Sequence, residues 1–156
     1  MISLSGGVRA AILRDDFSHA RSSGLVDTMM KTPGFWESSS AVQRVAGFSG
    51  ALAVALGAFG SHALPRRVSD PKLLRIWETG ATYHLVHSLA LALAARGGAF
   101  ENRPAKVASL CFATGIALFS GSLYALTLTG KRRLGAVAPL GGTAFILGWV
   151  ALALRR

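Results

Sequence analysis

The stretch "VASLCFATGIALFSGSLYALTL", residues 107–128, contains no charged residue. As a helix rising about 1.5 Å per residue it reaches roughly 33 Å, enough to cross a hydrocarbon layer of about 30 Å. Its few hydroxyls do not gather into a polar stripe wide enough to face water. A soluble amphipathic helix needs such a stripe. Three more runs of the same kind lie at 45–64, 79–95 and 137–154, and none of the four contains Asp or Glu. The expected fold is therefore an all-α membrane protein, a bundle of four antiparallel transmembrane helices (about 45–64, 71/79–95, 107–128 and 137–154). Continuous apolar runs exclude a barrel, whose strands alternate apolar and polar residues.

Composition fits that reading. The 156 residues are 51% hydrophobic and only 15% charged, yet carry a formal net charge of +10. Mean hydropathy is +0.44. The Lys and Arg residues fall between the apolar runs, at Arg66–Arg67, Lys72, Arg75, Arg96, Arg103, Lys106, Lys131–Arg133 and Arg155–Arg156. Basic loops flanking membrane spans look like this. A nucleic-acid surface would gather its cations on one face among aromatics, so nucleic acid is not an expected partner. Seven basic residues flank the spans on either side, so the positive-inside rule does not choose an orientation. The single cysteine, Cys111, forms neither an intrachain disulfide nor a multi-cysteine metal site.

Residues 1–44 form a polar, basic extension that also holds Asp15, Asp16, Asp27 and Glu37. An import presequence is poor in acids, which argues against that role. "VRAAILRDDF" at 8–17 is expected as a short amphipathic helix and "TPGFW" at 32–36 as a turn. The extension is expected to contact a partner. Downstream, Asp70 followed by Pro71 makes an N-cap and first-turn pair, so the second helix is expected to start well before its apolar run, with Trp77 at the membrane interface.

Lipid does not drive helices together as water does, so small residues that allow close approach carry the packing. Gly50, Ala53 and Gly57 share one face of the first helix, Ala58 belongs to a second, and Gly141 and Gly148 lie seven apart on the fourth. All are expected at helix interfaces.

The polar residues within the spans are the candidate site. Thr79, Tyr83 and His87 recur every four residues on the second helix, and His84 lies about 100° round from Tyr83. His62 lies near the end of the first helix, and Ser120, Ser122 and Tyr124 form a second polar group on the third. Intramembrane polar groups generally face the bundle and pair with one another. The leading expectation is that they are hydrogen-bonding clamps, with His87 facing the first helix on the His62 side. A proton or ligand pathway is the second reading. Haem ligation by His62 with His84 or His87 is disfavoured, because His84 and His87 share one helix and cannot grip one haem from opposite sides. No catalytic residue, resident cofactor or metal site is expected. A bound lipid, quinone or other amphiphile in a bundle groove is the alternative, with His62, Tyr83 and His87 at its polar end.

Four stretches together resemble a known family: "GAFGSHAL" at 57–64, "TGATYHLVHSLAL" at 79–91, "LFSGSLYAL" at 118–126 and "VAPLGGTAFILGWVALAL" at 137–154. In order and spacing they are similar to the transmembrane protein 256 family of small four-helix proteins of bacterial inner membranes and mitochondria. His62, His87, Gly141, Gly142 and Trp149 match positions of that family. The resemblance implies an inner-membrane protein and no particular activity. The extension before residue 45, longer than in bacterial members, suits a mitochondrial inner-membrane protein; a bacterial inner membrane is the alternative. The functional expectation is a non-catalytic accessory subunit of a larger, respiratory complex. Its partners would be the bilayer and other membrane subunits, reached through residues 1–44 and the helix faces.

Overall fold

The structure is a computed structural model that describes residues 33–96 and 102–155. The described residues form four helices. Helix α1 spans Pro33–His62, α2 Pro71–Ala94, α3 Arg103–Thr129 and α4 Ala138–Ala153. Helix α3 is continuous but not uniform: Arg103–Gly115 and Gly121–Thr129 are α-helical and Ile116–Ser120 is a π-helical turn. The expected helices at 8–17 and contacts of residues 1–32 lie outside the described residues. The expected turn at 32–36 is replaced by helix from Pro33 onward. Proline suits a first helical position because its missing N–H has no intrahelical partner there.

Local chemistry sets the helix ends. Asp70 caps α2, its Oδ1 accepting from Lys72 N–H at 2.8 Å, and Pro71 follows. Helix α1 stops ahead of Pro65, which opens a short 3₁₀ turn at Leu64–Arg66. Helix α3 stops at Gly130, whose φ of 68° only glycine adopts cheaply, with its N–H on the Leu126 carbonyl at 2.8 Å. Arg155, just past α4, donates to the Leu93 carbonyl at 3.2 Å and to the Arg96 carbonyl. A cation there meets the negative end of α2.

The contacts fix an up-down-up-down order. Ser49 meets Ser88 while Leu56 meets Trp77, so α1 and α2 are antiparallel. Tyr83, His87 and Leu93 meet Phe145, Trp149 and Arg155 at a constant offset, so α2 and α4 run parallel. Helices α3 and α4 interlock in antiparallel register. Phe112 lies on Gly148, Phe145 on Gly115 and Phe119 on Gly141. A Cβ at Gly148 would stand 2.7 Å from the Phe112 ring, and one at Gly141 would stand 2.8 Å from the Phe119 Cα. Absent side chains thus let large rings of one helix reach the other's backbone. Phe112 is wholly buried and Phe145 is 3% exposed.

Among the described residues, three helical stretches are long and apolar enough to cross a membrane: Ser39–His62, Arg103–Thr129 and Arg132–Ala153. Helix α2 has the length but is less apolar than the other three. It bonds or stacks with all three other helices, and Trp77, Gly80, His84, His87 and Ser88 are buried against protein. Trp77, expected at the membrane interface, is 3% exposed. Its indole N–H reaches the Leu56 carbonyl at 2.8 Å over Gly60, where any Cβ would stand 2.5 Å from the indole nitrogen.

The interlock makes neighbouring glycines unequal. Gly141→Ala drives a methyl into the Phe119 backbone and is expected to cost about 1–3 kcal/mol, as overpacking does. Gly142→Ala places its Cβ no closer than 3.9 Å to the Phe119 ring and is expected to be near neutral. Thermal unfolding of both variants in detergent measures this; equal midpoints would contradict the interlock.

Candidate functional site

The two histidines of α2 belong to separate hydrogen-bond systems. His84 joins α1, α2 and α3. Ser88 Oγ donates to the His84 carbonyl oxygen at 2.8 Å, which can only accept. With its proton so placed, Ser88 Oγ accepts from Ser49 Oγ at 2.7 Å. Ser49, having donated, accepts from His84 Nε2 at 3.0 Å. His84 therefore carries its proton on Nε2, and its Nδ1 accepts from the Tyr124 hydroxyl at 3.3 Å. Each proton in this chain has one consistent place. The chain closes on a backbone carbonyl, so it ties helices together rather than leading across the membrane.

His87 is held differently. Its Nδ1 lies 2.7 Å from the Tyr83 carbonyl, so that nitrogen bears the proton. Its Nε2 then accepts from the Trp149 indole at 3.2 Å. The ring stacks on Phe145, centroids 3.4 Å apart and planes 12° apart. The expected clamp between His87 and the first helix is thus corrected: His87 faces α4, and His84 reaches α1. The register explains this. Residues 77, 84 and 88 point toward α1, whereas residues 83 and 87 lie on the flank that α4 covers.

The other candidates disperse. His62 is exposed at the end of α1 and does not join Tyr83 or His87. Thr79 is exposed and donates to its own helix, at the Arg75 carbonyl. Tyr83 is 43% exposed, its ring 4.8 Å from that of Phe119. Ser122 donates to the Phe119 carbonyl. Ser120 is fully buried at the end of the π turn, and its hydroxyl has no hydrogen-bond partner. Tyr124 packs against Trp77, centroids 4.6 Å apart, beside its bond to His84. Among the small residues, a Cβ at Gly50 would stand 3.8 Å from the Ser88 Cβ, and Ala53 is buried. Gly141 and Gly148 form the interlock. Gly57 and Ala58 are not at a helix interface; they line an open groove of about 590 Å³ between α1 and α2. Haem ligation by these histidines would cost existing bonds, because all four ring nitrogens of His84 and His87 are already partnered.

Sequence reading missed Ser49 and Ser88 as partners. Ser88 was within reach, since a serine four residues after a helical residue commonly bonds back to its carbonyl. Ser49 lacked a distinguishing signal in its Ala- and Gly-rich run.

The tautomers give a direct check. In ¹⁵N NMR of the protein in detergent, His84 is expected as the Nε2–H form and His87 as the Nδ1–H form. Ser49→Ala should move only the His84 signals and Trp149→Phe only those of His87. A shared tautomer, or a shared response, would contradict the two separate systems.

Comparisons with known proteins agree with a membrane protein. The profile of the family described as "Protein of unknown function (DUF423)" matches residues 56–142. The UPF0382 membrane protein YwdK of Bacillus subtilis is 43% identical over 106 residues, covering 65% of this chain and 83% of the relative. A UPF0382 membrane protein of Schizosaccharomyces pombe is 38% identical over 116 residues, covering 71% of this chain and 97% of the relative. One of Haemophilus influenzae is 38% identical over 105 residues, covering 67% and 84%. No solved structure matches the chain. With more than half of its length matched and a four-helix bundle of the expected kind, the chain belongs to the DUF423 family of membrane proteins, which is the transmembrane protein 256 family.

Proposed function

We propose that this membrane protein is a non-catalytic subunit that assembles with another membrane protein along α1. The observation that carries this reading is the lopsided attachment of that helix. Only 11% of the α1 span is buried, against 39% for α3 and 28% for α4. The side of α1 away from α2 exposes Gly47, Ala51 and Ala55 at spacings of four. Lipid chains gain little from so smooth a strip, whereas a neighbouring helix can approach its backbone closely.

Bacterial and fungal relatives argue against a role confined to the mitochondrion. They suit an assembly that a bacterial membrane and an organelle of bacterial descent both possess. A respiratory complex of an energy-transducing inner membrane meets that condition, and it is the host we infer. The polar stretch ahead of α1 would add contacts outside the bilayer.

After gentle detergent extraction the protein is expected to migrate with other subunits on native gels. Ala51→Leu with Ala55→Leu should release it from them while leaving its own thermal midpoint unchanged, because both positions face away from the bundle. Migration of the native protein alone would overturn the reading.

A further inference from the structure

A second surface is independent of α1. A lateral groove of about 600 Å³ opens between α2 and α4, with Phe119 of α3 at its back. Its lining includes Tyr83, His87, Phe119, Phe145 and Trp149, and Gly142 leaves part of one wall bare. We propose that this groove binds a neutral, flat ring that carries a carbonyl and an apolar tail, the chemistry of an isoprenoid quinone.

Four observations select that occupant. First, the lining is aromatic, and its Tyr83 is 43% exposed beside Phe119, with ring centroids 4.8 Å apart. An exposed aromatic ring suits a flat ring as a stacking partner, which a disordered acyl chain does not need. Second, no charged residue lines the groove, so an ionic headgroup has no counter-charge there. The α1–α2 groove differs, because Arg75 and Glu78 line it. Third, the Tyr83 hydroxyl makes no hydrogen bond to any described residue, although Tyr83 stands halfway along its helix. A phenol in an apolar layer is costly without a partner, and a ligand carbonyl accepts its proton. Fourth, both His87 nitrogens are occupied, one by the Tyr83 carbonyl and one by Trp149. The imidazole, 4% exposed and stacked on Phe145, has no hydrogen bond left to give, so Tyr83 supplies it. The volume lies within the range of small-molecule sites, about 300–1,000 Å³.

The test uses the full chain in detergent, decylubiquinone as the probe and quenching of tryptophan fluorescence as the readout. Binding is expected to saturate, on top of the linear collisional quenching a dissolved quinone gives. n-Dodecanol, a tail without the ring, should not compete. Tyr83→Phe keeps the ring and loses the hydroxyl, and should weaken binding up to about tenfold, the worth of one hydrogen bond. Gly142→Leu should abolish the saturable component by filling the groove. Ile146→Phe, at an exposed position on the same lining, repeats that test should Gly142→Leu fail to fold. Linear quenching alone, equal competition by n-dodecanol, or saturable binding unchanged in a folded groove-filling variant would overturn the proposal.

Discussion

A polar side chain in an apolar layer must find its hydrogen bonds within the protein, because lipid tails supply none. Helix α2 is where this constraint presses hardest. It carries His84, His87 and Ser88 within two turns, and each is less than 5% exposed. The rest of the bundle is arranged to meet these groups. Helix α1 brings Ser49, α3 brings Tyr124, and α4 brings Trp149. Thr127 on α3 shares its one hydroxyl proton between the Leu123 carbonyl of its own helix at 2.9 Å and the Leu73 carbonyl of α2 at 3.2 Å. Each such bond contributes little on average, about 0.6 kcal/mol in membranes. Their value lies in direction: a bond across helices is made in one register and lost in the next.

Packing stiffness is distributed unevenly around that centre. Helices α3 and α4 are locked by two aromatic rings seated on Gly115 and Gly148 and by the Phe119 backbone seated on Gly141, a contact that a one-residue slip would destroy. Dispersion over such close surfaces is dense and leaves no room for repacking. Helix α1 lacks this kind of seat along most of its length. It is held at Ala46, Ser49 and Ala53, and by Trp77 over Gly60, while Phe48 stands 77% exposed. Segments with few buried contacts open at lower free energy than the interlocked core. The hydrogen bonds of Ser49 are then as much a hinge pin as a clamp.

This unevenness explains what could be read in advance from the sequence. The helices were legible because charge-free length is a direct consequence of solvent. Asp70–Pro71 announced the start of α2, and Gly141 and Gly148, seven apart, announced a close contact. The roles of the two histidines were only half legible. A step of 100° per residue separates His84 from Tyr83, and therefore separates their neighbours. Which neighbour lies on which flank depends on the order of the helices around α2, and no local pattern encodes that order. The same gap misplaced Gly57 and Ala58: smoothness marks a surface that could be approached, not one that is. The π turn at Ile116–Ser120 has no proline or other local mark. It inserts where α3 must present Phe119 to Gly141 while turning Ser120 inward.

The loose α1 face and the aromatic groove lie on different flanks of α2, yet one helix serves both. His84 and His87 are three residues apart, less than one turn, and a rigid helix cannot shift at one without shifting at the other. The groove side of α2 and the Ser49–His84–Ser88 chain therefore belong to one stiff element. On the groove side α4 is locked to α3 by its glycines, whereas only 11% of the α1 span is buried. One polar helix thus stands between a firmly packed wall and a lightly held one.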